Sequence, residues 1–248
     1  MKTETKQIEI APLKRGSYLS GVDGWREAIT KELPEGGTDD AINTALEVQA
    51  QLHDSWNALD QTRQNKPLTM TADAHFQKVN DAALEIITRT EKRGEMAFAT
   101  LNQRRAEIEN ELTARLGIQR APEDANEIRA VLRSMDKEQR REALMKAVNE
   151  KDGDTLAAVI FGRELTTGVA RKEVDHYRQL ATAKHAADLM KLRKAVDMTE
   201  DMLKGAFSES ADLYMKTIGD AATRNKIEEA QRAADEAALM LANALGRS

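Results

Sequence analysis

The sequence contains no cysteine, and aromatic residues make up only 4% of the chain. The lack of cysteine excludes disulfide bonds, zinc–thiolate centres and cysteine-ligated iron–sulfur clusters, and it is typical of proteins kept in a reducing compartment. Because large aromatic side chains are scarce, we expect thin apolar seams between helices rather than a thick globular core. Partner molecules are then expected to cover part of the apolar surface.

The sequence has no apolar run long enough to cross a bilayer, and its first residues lack the apolar centre of a signal peptide. We therefore expect a cytoplasmic protein without a membrane span. The net charge is −5, and residues 168–248 contain as many basic as acidic residues. Because nucleic-acid binding requires a predominantly basic face, direct binding to nucleic acid is not expected.

The residues that are abundant favour helices. Charged residues make up 32% of the chain, and alanine, glutamate, lysine, arginine and leucine lose little conformational freedom in a helix. Most of the four prolines and thirteen glycines lie between segments with helical periodicity. The sequence predicts an all-α fold: an elongated antiparallel helical bundle of coiled-coil-like hairpins with an extended N-terminal arm.

Breaks in the periodicity divide the chain into four segments. They are an N-terminal arm (1–37), a long helical hairpin (38–120), a short-helix junction (121–167) and C-terminal long helices (168–248). Within the arm, residues 7–10 have the composition of a strand that pairs with an edge, and Trp25 lies in a predicted short helix. A loosely ordered tail is the alternative interpretation of the arm.

The hairpin has the clearest helical periodicity. Its first helix is predicted to begin at Thr38, which can act as an N-cap, and to end near Asn65. Its second helix is predicted to begin at Thr71 or Asp73 and to end at Leu116, because Gly117 is a typical C-terminal stop. An apolar stripe with spacings of three and four residues runs along both helices, which predicts one buried face on each.

The remaining segments predict several shorter elements. Pro122 suits the first turn of a helix, and Asp136 with Gln139 forms a predicted capping box. Residues 156–161 are the most apolar run, for which we expect a short, fully buried helix. In the C-terminal segment, a break is predicted at Gly205 and Ser208.

One candidate metal motif occurs. Glu173 and His176 are three residues apart, so they share a helix face, as in one half-site of a dimetal helical bundle. Such a site needs a second Glu-x-x-His pair, and the sequence has none. Residues 152–154 lack the remainder of a calcium loop, and neither a phosphate-binding loop nor a nucleophile elbow is found. We therefore predict no catalytic, cofactor-binding or metal site.

Two arginine pairs are the remaining candidates for a charged site. Arg104 with Arg105, and Arg140 with Arg141, have enough hydrogen-bond donors to bind a phosphate group. Arginines on long helices more often pair with nearby acids, which here include Glu107 and Glu109. We favour the ion pairs.

The order of features between residues 80 and 200 resembles helical structural and assembly proteins of tailed bacteriophage particles. The resemblance is carried by the charged helix at 102–112, the apolar run within 153–162 and the charged helix that follows Arg171. It implies an internal or ejection protein, a connector-associated protein or a scaffold, located in the virion after assembly in the host cytoplasm. It provides no catalytic residues.

These observations predict a non-enzymatic structural or assembly protein whose partners are copies of itself and other particle subunits. Alternatives are a helical adaptor of a cellular organism and, less favoured, a ferritin-like metal enzyme. Large side chains are the best candidates for interaction anchors. These are Trp25, Trp56, Phe161, Phe207 and Tyr214.

Overall fold

A computed structural model describes residues 11–34, 37–219 and 221–244, and every regular element in these ranges is a helix. The predicted all-α fold is confirmed. The predicted strand at residues 7–10 lies outside the described residues. The helices are α1 (Ser17–Ser20), α2 (Val22–Glu32), α3 (Asp40–Gln64), α4 (Ala72–Leu116), α5 (Ala125–Ser134), α6 (Lys137–Glu150), α7 (Gly153–Ile160), α8 (Glu164–Thr167), α9 (Arg171–His185), α10 (Ala187–Thr217) and α11 (Ala221–Ala244).

The ends of α3 and α4 agree with the sequence prediction to within about two residues. Asp39, rather than the predicted Thr38, caps the start of α3, because its Oδ1 accepts hydrogen bonds from the amides of Ala41 and Ile42 at 3.1 and 3.3 Å. Helix α4 has 45 residues, a length of about 68 Å. It ends where Gly117 adopts a φ of +70°, a conformation that costs glycine little.

The chain forms two compact units. Unit 1 consists of Met1–Arg26, Thr44–Ala97 and Asp201–Ser248, and unit 2 consists of Glu27–Asn43 and Phe98–Glu200.

In unit 1, α3 and α4 run antiparallel. Arg93 of α4 donates a hydrogen bond to the Gln51 side chain, and His75 Nε2 lies 3.2 Å from the carbonyl oxygen of Arg63. Helix α10 completes the packing, because its Phe207 ring contacts Gly94 of α4. Fully buried large side chains in this unit include Leu19, Leu52, Trp56, Met202, Leu203 and Leu213.

The predicted break at Gly205 and Ser208 is wrong, because α10 continues from Ala187 to Thr217. Gly205 instead allows the ring of Tyr18 to pack closely against α10, because a Cβ at this position would overlap that ring. The helix breaks lie elsewhere in the segment, at Ala186 and at Gly219, which has a φ of +66°.

Unit 2 places the short helices α5 to α9 around a common core. The core contains Leu116, Ile118, Leu132, Leu144, Ala147, Val148, Leu156, Ala157, Val159, Val169, Val174, Tyr177 and Ala181. The capping box at Asp136 is confirmed, since Gln139 N donates to Asp136 Oδ1 at 2.9 Å and Asp136 N donates to Gln139 Oε1 at 3.2 Å. Helix α5 begins at Ala125 rather than at Pro122, whose carbonyl accepts from Ala125 N in the preceding turn.

Residues 156–159 are buried, but Phe161 is 51% exposed, so the expectation of a fully buried run is wrong at its end. Helix α7 ends at Ile160, and Phe161 is its C-cap residue. Phe161 therefore lies beyond the turns that pack into the core.

Candidate functional site

The N-terminal arm of unit 1, residues 11–21, is held by side chains that bind its main chain. Glu209 of α10 accepts hydrogen bonds from the amides of Tyr18 and Leu19 at 3.1 and 2.9 Å. These amides are in the first turn of α1, where no intrahelical acceptor is available. Gln49 of α3, which is fully buried, donates to the carbonyl oxygen of Tyr18 at 2.7 Å. The arm is thus fixed by two helices.

A second attachment lies nearer the start of the arm. Leu13 N donates to both carboxylate oxygens of Asp60 at 3.1 and 3.2 Å. Asp60 also forms a 3.1 Å ion pair with Arg63 and is only 8% exposed. Arg63 in turn donates to the carbonyl oxygen of Ala11. Because charged groups hydrogen-bond more strongly than neutral ones, these contacts order the described part of the arm.

Aromatic packing completes the arm. The rings of Tyr18 and Trp25 are stacked, with their centroids 5.3 Å apart and their planes at 13°. The Tyr18 ring also covers Gly205 of α10. Trp25, a predicted interaction anchor, therefore contributes to attaching the arm within unit 1.

In unit 2, an open cavity of about 830 Å³ lies between α4, α9 and α10. We call it the arginine groove. Its apolar floor includes Leu112, Leu116 and Ile118, which are buried, and one wall carries Met190, which is 42% exposed. Its lining residues are Asn102, Arg105, Ala106, Glu109, Leu112, Thr113, Leu116, Ile118, Asp175, Arg178, Gln179, Thr182, Ala183, Met190 and Arg193.

Ion pairs form the charged side of the arginine groove. Glu109 lies between two guanidinium groups: its Oε1 accepts from Arg178, and its Oε2 accepts from Arg193 at 3.1 Å. Arg105 instead binds Asp197 at 2.9 Å and also Glu200. The hydrogen bond from Arg105 to Glu200 is the main reason that the pKa of Arg105 lies above its usual value.

The two arginine pairs singled out in the sequence have different partners. Arg104 binds Asp39 at 2.7 Å and Glu107 at 3.2 Å, next to a polar cavity of about 460 Å³ at the start of α3. Since Asp39 also caps α3, each of its carboxylate oxygens already has a partner. Arg140 is used within the fold and donates to the carbonyl oxygens of Leu132 and Met135, each at 2.8 Å.

The candidate metal motif has a local role. Glu173 lies in the first turn of α9 and accepts from Ala170 N at 3.3 Å, which helps to cap the helix. His176 is exposed and lies beside Tyr177, with ring centroids 5.9 Å apart. Among the described residues, no three His, Asp or Glu side chains form a group able to hold a metal ion.

The predicted interaction anchors occupy different environments. Trp56 is fully buried and donates through Nε1 to Ser210 Oγ at 2.7 Å. Phe207 and Tyr214 of α10 are partly buried, as is Trp25, and Phe161 is half-exposed. Trp56 therefore contributes to the core of unit 1.

Helix α11 has an exposed apolar face. Ala230, Ala234, Ala237 and Leu241 follow each other at intervals of three and four residues, and all four are exposed. Leu239, two residues from Leu241, lies on the opposite face, which includes Arg232, Asp235 and Glu236. These two leucines are 63% and 61% exposed, respectively. The sequence indicated the periodicity of α11, but only the structure reveals that its apolar face is uncovered.

No family model matches this sequence, and neither a curated protein nor a solved structure matches it. Of the helices in the described ranges, each is too short or too polar to cross a membrane.

Proposed function

We propose that this chain is a non-enzymatic structural or assembly protein of a bacteriophage particle that binds copies of itself and neighbouring particle subunits through its helices. The observation that carries the proposal is the uncovered apolar face of α11. An amphipathic helix of 24 residues usually buries such a face, and exposed contiguous apolar surface is typical of an interaction site. The setting in a phage particle rests on the resemblance of residues 102–112 and 153–162.

Other exposed apolar side chains support an assembly role. Leu165 in α8 is 87% exposed and Phe161, just before it, is 51% exposed. Met215 near the end of α10 is 62% exposed. Surfaces of this kind are expected on a protein whose neighbours in a particle complete its burial.

Self-association is tested with a matched pair of variants in α11. We expect the wild-type chain to form oligomers at micromolar concentration in sedimentation velocity and mass photometry. Leu241→Gln removes a large side chain from the apolar face and should weaken association. Leu239→Gln makes the same chemical change on the opposite face of the same helix, at nearly equal exposure, and should leave association unchanged.

The particle setting has its own test. Mass spectrometry of purified particles from the source of this sequence should detect the chain at a fixed number of copies per particle. A chain that remains monomeric at micromolar concentration and is absent from such particles contradicts the proposal. If Leu239→Gln and Leu241→Gln weaken association equally, the apolar face of α11 is not the surface through which the chains associate.

A further inference from the structure

Helix α11 is uncovered on all sides along its second half. Every residue from 232 to 241 is exposed, so no other described part of the chain packs against this stretch. Its three consecutive large apolar residues, Leu239, Met240 and Leu241, are 63%, 71% and 61% exposed. Helices in proteins owe most of their stability to the packing of an apolar face, because isolated helices are marginally stable in water. We therefore expect a partner to cover α11.

The width of the apolar surface indicates how many neighbours it contacts. In projection along the helix axis, Ala233 and Met240 lie on one side of the face that contains Leu241, and Ala238 lies on the other. Between residues 230 and 244, apolar residues fill an arc of about 160° without any charged residue. A two-helix coiled coil needs only a narrow apolar seam, whereas helices of larger bundles are apolar over a wider arc. The arc of α11 fits two neighbours. Its residues are Ala230, Ala233, Ala234, Ala237, Ala238, Met240, Leu241 and Ala244.

The contact area leads to the same number of neighbours. Even along all 24 residues of α11, one side of the helix measures about 36 Å by 10 Å, or about 360 Å². Stable interfaces bury about 800 Å² on each partner, and contacts below about 600 Å² are weak or transient. Contact with two neighbours doubles the covered area of α11 to about 720 Å², which lies in the stable range.

The counterpart that matches this surface is α11 of other copies. Outside α11, no helix in the described ranges has two exposed large apolar side chains within four residues of each other. The alanines of the arc allow two helix axes to approach to about 8 Å, which requires small side chains on both helices. Because the arc between residues 230 and 244 carries no charge, identical copies meet there without like-charge repulsion.

We propose that the α11 helices of three or more copies of this chain pack side by side as a parallel bundle around a common axis. Each α11 contacts one neighbour with its Met240 side and another neighbour with its Ala238 side. Because these two sides differ, the contact repeats around the axis and closes into a ring. This inference rests on the proposed self-association and specifies its interface and its minimum number of copies.

The number of copies is measured by sedimentation equilibrium of the full chain at micromolar concentration. We expect a particle with at least three times the mass of one chain, which is 27.6 kDa. Met240→Gln changes the side of the arc that a single neighbour leaves in solvent, so it should weaken association by at least about tenfold. Leu239→Gln changes the adjacent residue on the opposite face and should leave association unchanged.

Disulfide cross-linking tests the parallel orientation. Because the chain contains no cysteine, an introduced thiol can pair only with the same position of another copy. A parallel bundle brings identical positions together, so Ala230→Cys and Ala237→Cys should each form cross-linked dimers on mild oxidation. In an antiparallel pair at most one of them can do so, because the two positions are about 10 Å apart along the helix. Asn243→Cys, on the opposite face, is the control and should not cross-link.

The outcomes separate the bundle from the proposed function. An assembly of only two copies, unchanged association of Met240→Gln, or cross-links in fewer than both alanine variants overturns the bundle, while self-association stands. A chain that is monomeric at micromolar concentration overturns both. Circular dichroism checks that the variants are folded, and the cysteine variants test the bundle without weakening it.

Discussion

Ser210→Ala removes the hydrogen-bond acceptor that the indole of Trp56 has among the described residues. Both residues are 0% exposed, and the bond from Trp56 Nε1 to Ser210 Oγ is 2.7 Å long. Leaving a buried donor unsatisfied costs about 1–3 kcal/mol, and the higher helix propensity of alanine offsets only a few tenths of this. We expect the free energy of unfolding to fall by about 1–2 kcal/mol in urea titrations followed by circular dichroism.

The control lies two residues away on the same helix. Ser208 is exposed, so Ser208→Ala should change the free energy of unfolding by less than about 0.5 kcal/mol. Trp56→Phe removes the donor, so Ser210→Ala should cost less in that background than in the wild-type chain. The reasoning is refuted if Ser210→Ala costs no more than Ser208→Ala, or if its cost is the same in both backgrounds.

Two further predictions concern the arm and an ion pair. Gly205→Ala introduces a Cβ that overlaps the Tyr18 ring, so hydrogen exchange of the Tyr18 amide should accelerate. Gly24→Ala is the control, because a Cβ at Gly24 meets no atom within 4 Å and should leave the exchange rate unchanged. Equal exchange rates in both variants would contradict this packing. Hydrogen bonding to Arg115 holds the pKa of Asp188 below its usual value, so this pair stabilises the fold above about pH 4 and the stabilisation is lost as the pH falls through the lowered pKa. Asp188→Asn should therefore reduce the fall in the free energy of unfolding as the pH is lowered. If the fall is the same as in the wild-type chain, the ion pair between Arg115 and Asp188 does not contribute to it.

The helices could be predicted because their signals are local. The boundaries of α3 and α4 follow from caps, glycine stops and a continuous apolar stripe, all of which can be read along the chain. The break predicted at Gly205 failed because a glycine within a helix has two explanations, a terminus or close packing. Contact with Tyr18, a residue distant in the sequence, decides between them.

The candidate site depended more strongly on distant contacts. The sequence predicted that Arg104 and Arg105 pair with nearby acids such as Glu107 and Glu109. The structure pairs Arg104 with Glu107, but it brings Asp197 and Glu200 to Arg105. Glu109 binds Arg178 and Arg193 instead. Charge spacing along one helix cannot identify partners on other helices, so the arginine groove had no signal in the sequence.

The way in which the arm is held affects how its sequence can change during evolution. Glu209 and Asp60 bind main-chain amides, which every residue type except proline supplies, and Gln49 binds a main-chain carbonyl oxygen, which every residue type supplies. Solvent-exposed positions of the arm can therefore vary widely, while the fully buried Leu19 cannot. In related sequences, we expect Glu209, Gln49 and Asp60 to be more conserved than the exposed residues of the arm to which they hydrogen-bond.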